Sequence, residues 1–202
     1  MVFLLIQTSL SEPAQQTAPK DSPVLLFDNG TVTNITPADS FWPEKLRLVS
    51  VYDQARAKNM PPRVHFTLYS KWIVTKKGKK FPAEKIDRAL KEIDFFPAGK
   101  TAALKITAIM ANLKFKARII DQSIIDDNPL TRTIPADILN QVHPPRVKST
   151  ANGYRICFFG YIKTDSGFPR EWIKAYVARI KPGIYDIRQT KTLWTEKGRY
   201  RW

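Results

Sequence analysis

Cysteine is almost missing from this chain: Cys157 is the only one in 202 residues. No intrachain disulfide can form, and no zinc site that needs two thiolates can be assembled. The residue lies in the apolar run Ile156-Cys157-Phe158-Phe159, which predicts a buried core thiol, and such usage fits a reducing compartment. Histidine is nearly as scarce. His65 and His143 stand in no metal-ligand spacing. Glycine, with eight residues, builds neither a phosphate loop nor a dinucleotide fingerprint, because Gly78 and Gly99 each precede lysine without the remainder of a Walker pattern. There is no nucleophile elbow. Asp126-Asp127 sits in a proline-bracketed stretch and reads as solvated carboxylates. These shortages argue against an enzyme and imply no cofactor and no metal.

Long hydrophobic runs are missing too. No stretch approaches the roughly 18 apolar residues of a transmembrane helix, so any membrane contact is expected to be peripheral. The apolar start, residues 1–6, stops at Gln7 and has no basic residue before it, which argues against a secretory signal. Without secretion the sequons at Asn29 and Asn34 carry no weight.

Acid is the third shortage, and it is local. Residues 1–60 hold 5 basic and 6 acidic residues, a net of −1; residues 61–202 hold 28 and 12, a net of +16. The run Lys76-Lys77-Gly78-Lys79-Lys80 concentrates this charge. Four ammonium groups on five residues repel one another and cannot be core. They are held in water or against an anion such as nucleic acid or an anionic lipid surface. A nuclear-import role for the same run is indistinguishable from sequence. Cations also alternate with rings at Lys71-Trp72 and in residues 197–202, which suits base stacking or a membrane interface. Each lysine near an anionic leaflet contributes about 1 kcal/mol, so four give roughly 4 kcal/mol, too little for firm attachment without many copies or a second anchor.

Along the chain, residues 7–23 are rich in Gln, Ser, Thr and Pro and read as a flexible tail. Residues 24–36 place Asn29-Gly30 between apolar residues, a hairpin signal or a short docking segment. The expected division is a tail over 1–45 and a basic α+β domain over 46–202. A strand is expected over 65–75, with the lysine run as its turn. Pro82 opens a helix whose Ile86, Ala89, Leu90 and Ile93 share a face, with Glu84–Arg88 and Asp87–Lys91 as i,i+4 pairs on the other. The alanine-rich residues 101–112 predict a second helix, and 115–119 alternate as a strand. Residues 121–151 carry four prolines and read as a long connection. Residues 154–163 predict a buried strand. Beyond Pro169, Trp172, Ile173, Tyr176, Val177 and Ile180 fall on one stripe and predict an amphipathic helix ended by Pro182-Gly183; residues 185–194 predict a last strand. The fold class is α+β: a mostly antiparallel sheet packed against two to three helices.

The order of these elements resembles the core of rhabdovirus matrix proteins. The likeness is carried by residues 64–75, Lys76 to Lys80, residues 81–93, Ala98-Gly99-Lys100 and residues 104–114, and the late unit from 168 resembles the family's carboxy-terminal unit. It covers roughly residues 60–195. It implies a structural protein that bridges the viral nucleocapsid and the inner face of the envelope membrane, associates with itself and drives virion assembly, with the tail of an envelope glycoprotein as a further partner. The implied location is the virion beneath its envelope, and the host cytoplasm, internal membranes and nucleus. The family's Pro-Pro-x-Tyr budding motif is missing: Pro61-Pro62-Arg63-Val64 and Pro144-Pro145-Arg146-Val147 lack the tyrosine. That departure suits a plant-infecting member. The implied contacts to anionic lipid or ribonucleoprotein are Lys71, Lys76, Lys77, Lys79, Lys80 and Lys100. The family's membrane-dipping loop falls at 119–130, with Ile124, Ile125 and Leu130 as candidates, although Asp121, Asp126 and Asp127 are unwelcome beside anionic lipid. The alternative is a basic nucleic-acid-binding module associated with RNA or the ribosome.

Overall fold

The computed structural model describes residues 30–36, 41–53, 58, 69–121, 134–164 and 170–196. Within them two antiparallel sheets enclose one principal core. The first runs in the order β1 (Gly30–Asn34), β2 (Leu46–Asp53), β3 (Tyr69–Thr75), β4 (Lys80–Pro82). In the second, β5 (Ala117–Ile119) and β6 (Arg146–Thr150) share one edge of β7 (Gly153–Thr164), which is followed by β8 (Arg170–Lys181) and β9 (Ile184–Thr195). Three helices accompany them: α1 (Ile86–Glu92), entered through a 3₁₀ turn at Ala83–Lys85, α2 (Lys100–Phe115) and the single-turn α3 (Ala136–Leu139). The fold is α+β with antiparallel sheets, as the sequence leads one to expect.

α1 and α2 form where helices are expected and for the expected reasons. Ile86, Ala89 and Leu90 of α1 are fully buried. In α2 the buried stripe is Ala103, Ile106, Thr107, Met110 and Ala111. The Thr107 hydroxyl donates to the Ala103 carbonyl at 2.7 Å, so the one polar member of that stripe is satisfied. Lys116 ends α2 in the left-handed region, φ 54°, and its N–H donates to the Asn112 carbonyl at 2.9 Å. The expected pair Asp87–Lys91 gives way to a longer reach: Asp87 accepts from Lys114 at 3.1 Å and joins α1 to α2. No ion pair joins Glu84 and Arg88.

The core lies between these helices and the inner faces of both sheets. Leu46, Leu48 and Ile73 come from the first sheet, and Ile156, Phe158, Tyr176, Ala178, Ile180 and Ile187 from the second. Phe158 stacks on Tyr176 across β7 and β8 at 5.2 Å, and Phe115 at the end of α2 packs on the same ring at 5.4 Å. A second cluster covers part of the other face of the second sheet. There Ile134 and Val142, flanking α3, bury Ile120 and Ile173, with Phe159, Tyr161 and Trp194 beside them.

Four expectations change. The helix expected over 168–180 is strand β8. Its stripe is real but arises from burial on both faces: Tyr176, Ala178 and Ile180 face the main core while Ile173 faces the second cluster, so apolar residues occupy both parities. The connection 121–151 contains α3 and β6, the latter anchored by the pairing of Val147 with Ile156. Phe115 belongs to α2 rather than to a strand. Cys157 is half-buried on the outer face of β7, not in the core. Of the 24–36 segment, Gly30–Asn34 is paired along β2 within this chain, and the Thr36 hydroxyl accepts the Leu48 N–H at 2.7 Å. Residues 1–29, 65–68, 168–169 and 197–202 lie outside the described residues.

Burial pushes the Tyr185 hydroxyl up to about 12, with the Asp94 carboxylate adding to the effect. Its oxygen is buried with no hydrogen-bond partner among the described residues. The folded protein holds this proton more tightly than the unfolded chain, whose tyrosine titrates near 10. The stability linked to it is full below about pH 10 and is lost as pH rises toward about 12. Tyr185→Phe is expected to remove that alkaline loss and to leave neutral stability unchanged or slightly higher, because the hydroxyl has nothing to lose. Urea unfolding at about pH 8 and about pH 11 checks both; a loss above about 1 kcal/mol at the lower pH would mean that the hydroxyl does have a partner.

Candidate functional site

The lysine run forms the β3–β4 turn. Gly78 holds φ +80°, a conformation that L side chains rarely adopt, and its N–H donates to the Thr75 carbonyl at 2.8 Å. Its four ammonium groups are not equivalent. Lys76 is 3.0 Å from Glu44, whose carboxyl is held below its usual range by that hydrogen bond. Lys79 is 2.6 Å from Glu92 and lies over the Phe81 ring at 5.5 Å. Lys80 opens β4 opposite Val74. Lys77 is exposed with no ion pair among the described residues. Two of the four charges are thus partly met by carboxylates that sequence does not place beside them. Lys71 is exposed on β3 opposite Ser50. Lys100 does not join the turn. It begins α2, next to Gly99, whose N–H donates to the Tyr154 hydroxyl at 3.1 Å at one end of the second sheet. Ile124, Ile125 and Leu130 lie outside the described residues.

The larger basic surface is the outer face of the second sheet. Register places Lys148 opposite Arg155, Arg155 opposite Arg179, and Arg179 opposite Asp186, one row across β6 to β9. The next row is Arg146, Cys157, Val177 and Arg188. Lys181 extends the face at the β8 end, and Lys191 lies opposite Ala175. All seven cations are exposed. Asp186 is the acid among them, and it is already bonded to Arg188 Nε at 2.7 Å. At the far end Glu171 is matched by Lys163 at 3.6 Å. Arg146, Lys148, Arg155, Arg179, Lys181 and Lys191 form no ion pair with the described residues. Like charges directly opposite one another in a sheet are destabilising. A row of three is therefore a cost that packing does not explain.

Why sequence reasoning misses this face is plain. Each strand contributes only one or two of these cations, and Val147 and Ile180 stand between the pairs on β6 and β8. The one available signal is the hairpin: with a turn at Ala151-Asn152, Lys148 and Arg155 are forced opposite each other on the same side.

Among the described residues no group of three or more His, Cys, Asp or Glu could hold a metal ion, and no helix is long and apolar enough to cross a membrane. Comparison with protein-family models, with curated proteins and with solved structures finds no match.

If the Lys148–Arg155–Arg179 row repels itself, Arg179→Thr should stabilise the protein in low salt by about 0.5 kcal/mol. The gain should shrink in about 0.3 M sodium chloride, where the charges are screened. Thermal unfolding of both proteins at the two salt concentrations decides it; a variant less stable at low salt would mean that the guanidinium is held by attraction.

Proposed function

We propose that this protein is a non-enzymatic structural protein of the viral matrix kind. It lays basic surfaces on the ribonucleoprotein and on the anionic inner face of an envelope membrane, associates with copies of itself, and so assembles the virion. One observation carries the reading: six exposed cations, without a carboxylate partner among the described residues, lie on one face of a sheet, beside the part that the second cluster covers. A flat face of this kind meets an extended polyanion better than a small anion, because each charge engages a different phosphate or headgroup. The lysine turn is a second contact, weaker per lysine because Glu44 and Glu92 already engage two of the four ammonium groups. The two surfaces lie on different sheets, which suits a bridging role between two partners.

A second reading, a nucleic-acid-binding module, is favoured by the choice of arginine at positions 146, 155, 179 and 188. Guanidinium groups grip phosphate in a bidentate fork where lysine acts as a point charge. It predicts RNA binding with steep salt dependence and no vesicle binding.

Flotation with phosphatidylserine and with phosphatidylcholine vesicles separates the two. The wild type is expected to float with the anionic vesicles alone. The pair Arg155→Glu and Arg179→Glu should abolish flotation, while changing Lys76, Lys77, Lys79 and Lys80 together to Glu should reduce it. No flotation of the wild type, or equal flotation with neutral vesicles, removes the membrane half of the proposal. Sedimentation that stays monomeric at high protein and low salt removes the self-association.

A further inference from the structure

Ile184 is 53% exposed, one of three exposed large apolar side chains among the described residues. It opens β9 directly opposite Lys181, just past the Pro182-Gly183 turn. Its neighbours Tyr185 and Ile187 are in the main core, so the alternation of β9 puts Ile184 on the outer face with Asp186 and Arg188. On β8, Ala178 and Ile180 are in the core, and Arg179 and Lys181 stand on that same outer face. This end of the sheet also carries a depression of about 290 Å³ beside the β6–β7 turn. Arg155, Arg179 and Lys181 are its three cations, Thr150 adds a hydroxyl, and no carboxylate lines it. An exposed isoleucine by itself is ordinary; one that shares a face with three cations around a depression is not.

We infer that this end of the outer face seats one lipid whose headgroup bears a phosphate monoester, as in phosphatidic acid or a phosphoinositide. Arg155, Arg179 and Lys181 hold the phosphate, and Ile184 enters the apolar boundary of the bilayer. The inference rests on the membrane half of the reading above and names the lipid. Arg155 and Arg179 are directly opposite each other, and Cβ atoms so placed lie about 4.5–5.5 Å apart, which lets two long side chains meet on one group. A monoester phosphate carries about −1.5 to −2 charge at neutral pH and three acceptor oxygens for the guanidinium forks. A serine headgroup, with a single net negative charge, answers three cations less well. An anion seated here also relieves the repulsion within the Lys148–Arg155–Arg179 row. A soluble phosphate would use the cations and leave Ile184 in water. A lipid uses both, since apolar side chains beside basic ones dock at the boundary between headgroups and acyl chains.

Flotation of the full chain tests this with phosphatidylcholine vesicles that carry phosphatidylserine, phosphatidic acid or phosphatidylinositol phosphate, matched in total negative charge. Vesicles with a monoester lipid are expected to bind about tenfold more tightly than those with phosphatidylserine. The tighter of the two monoester lipids is the one the site takes. The pair Arg155→Ala and Arg179→Ala should abolish the preference. The pair Arg146→Ala and Lys191→Ala removes the same charge from the same face, away from the depression; it should weaken binding to every vesicle alike and keep the preference. Ile184→Ser should weaken binding to all anionic vesicles about tenfold and also keep the preference. All five positions are exposed, so circular dichroism should show folded variants. Equal binding to the three vesicles, or equal loss of preference from the two pairs, overturns the site and leaves a diffuse basic face with the matrix reading standing. Unchanged flotation of Ile184→Ser, with displacement of the protein by inositol trisphosphate, makes the ligand a soluble phosphate and overturns the lipid. Binding of an oligouridylate that the Arg155–Arg179 pair abolishes, without any preference among vesicles, gives the site to nucleic acid instead. No flotation with any vesicle overturns both the inference and the membrane half of the reading.

Discussion

Strands β7 and β8 run antiparallel in unbroken register from Tyr154 opposite Ile180 to Thr164 opposite Arg170, and both faces of this ladder are used. On the inner side the pairing sets Phe158 flat against Tyr176 and brings Ile156 beside Ala178, the floor on which α1 and α2 pack. On the outer side the same pairing sets Arg155 beside Arg179. A slip of one residue would send the guanidinium groups into the core and Tyr176 into water. Burial of the inner face thus enforces the charge arrangement on the outer face. The basic rows are not free to relax by shifting register, because the relaxation would cost several buried aromatic and aliphatic side chains at about 1.5–3 kcal/mol each.

The irregularity in the sheet is pushed to its margin. β9 carries two register shifts against β8, one between Ile173 and Lys174 and one between Ala175 and Tyr176, and the unpaired residues Leu193 and Thr190 fall on β9. The Thr190 hydroxyl donates to the Ala175 carbonyl at 3.1 Å, which offsets the interrupted ladder. Bulges on a terminal strand bend it and spoil it as a template for another chain. With Arg188 and Lys191 also on this strand, edge-to-edge growth along β9 is discouraged. Association between copies would then use other surfaces, and the basic face would stay open.

How much of this can be read from the residues depends on how many faces an element buries. α1 buries one face, so Ile86, Ala89, Leu90 and Ile93 show its period directly. β7 is equally plain, since its run of β-branched and aromatic residues fits no helix. β8 buries both faces, and Trp172, Ile173, Tyr176, Val177 and Ile180 then imitate a helical stripe with no helix behind it. β6 has one inward apolar residue, Val147, among Arg146, Lys148, Ser149 and Thr150, too few to show a period. The lysine turn is visible as charge, but its partners Glu44 and Glu92 are remote in sequence and their effect is not.

The two basic surfaces differ for the same reason. Charge in a turn is local: its cations are neighbours in sequence and in space, and a carboxylate from an adjoining element can reach it, as Glu92 reaches Lys79. Charge on a sheet is assembled from distant segments and held by backbone register, so a carboxylate can answer it only from a fixed position. Asp186 holds such a position opposite Arg179, yet its carboxylate bonds to Arg188 in its own strand. The one acid opposite the Lys148–Arg155–Arg179 row among the described residues is thereby engaged with the neighbouring row, and the three cations are left without a carboxylate partner among those residues.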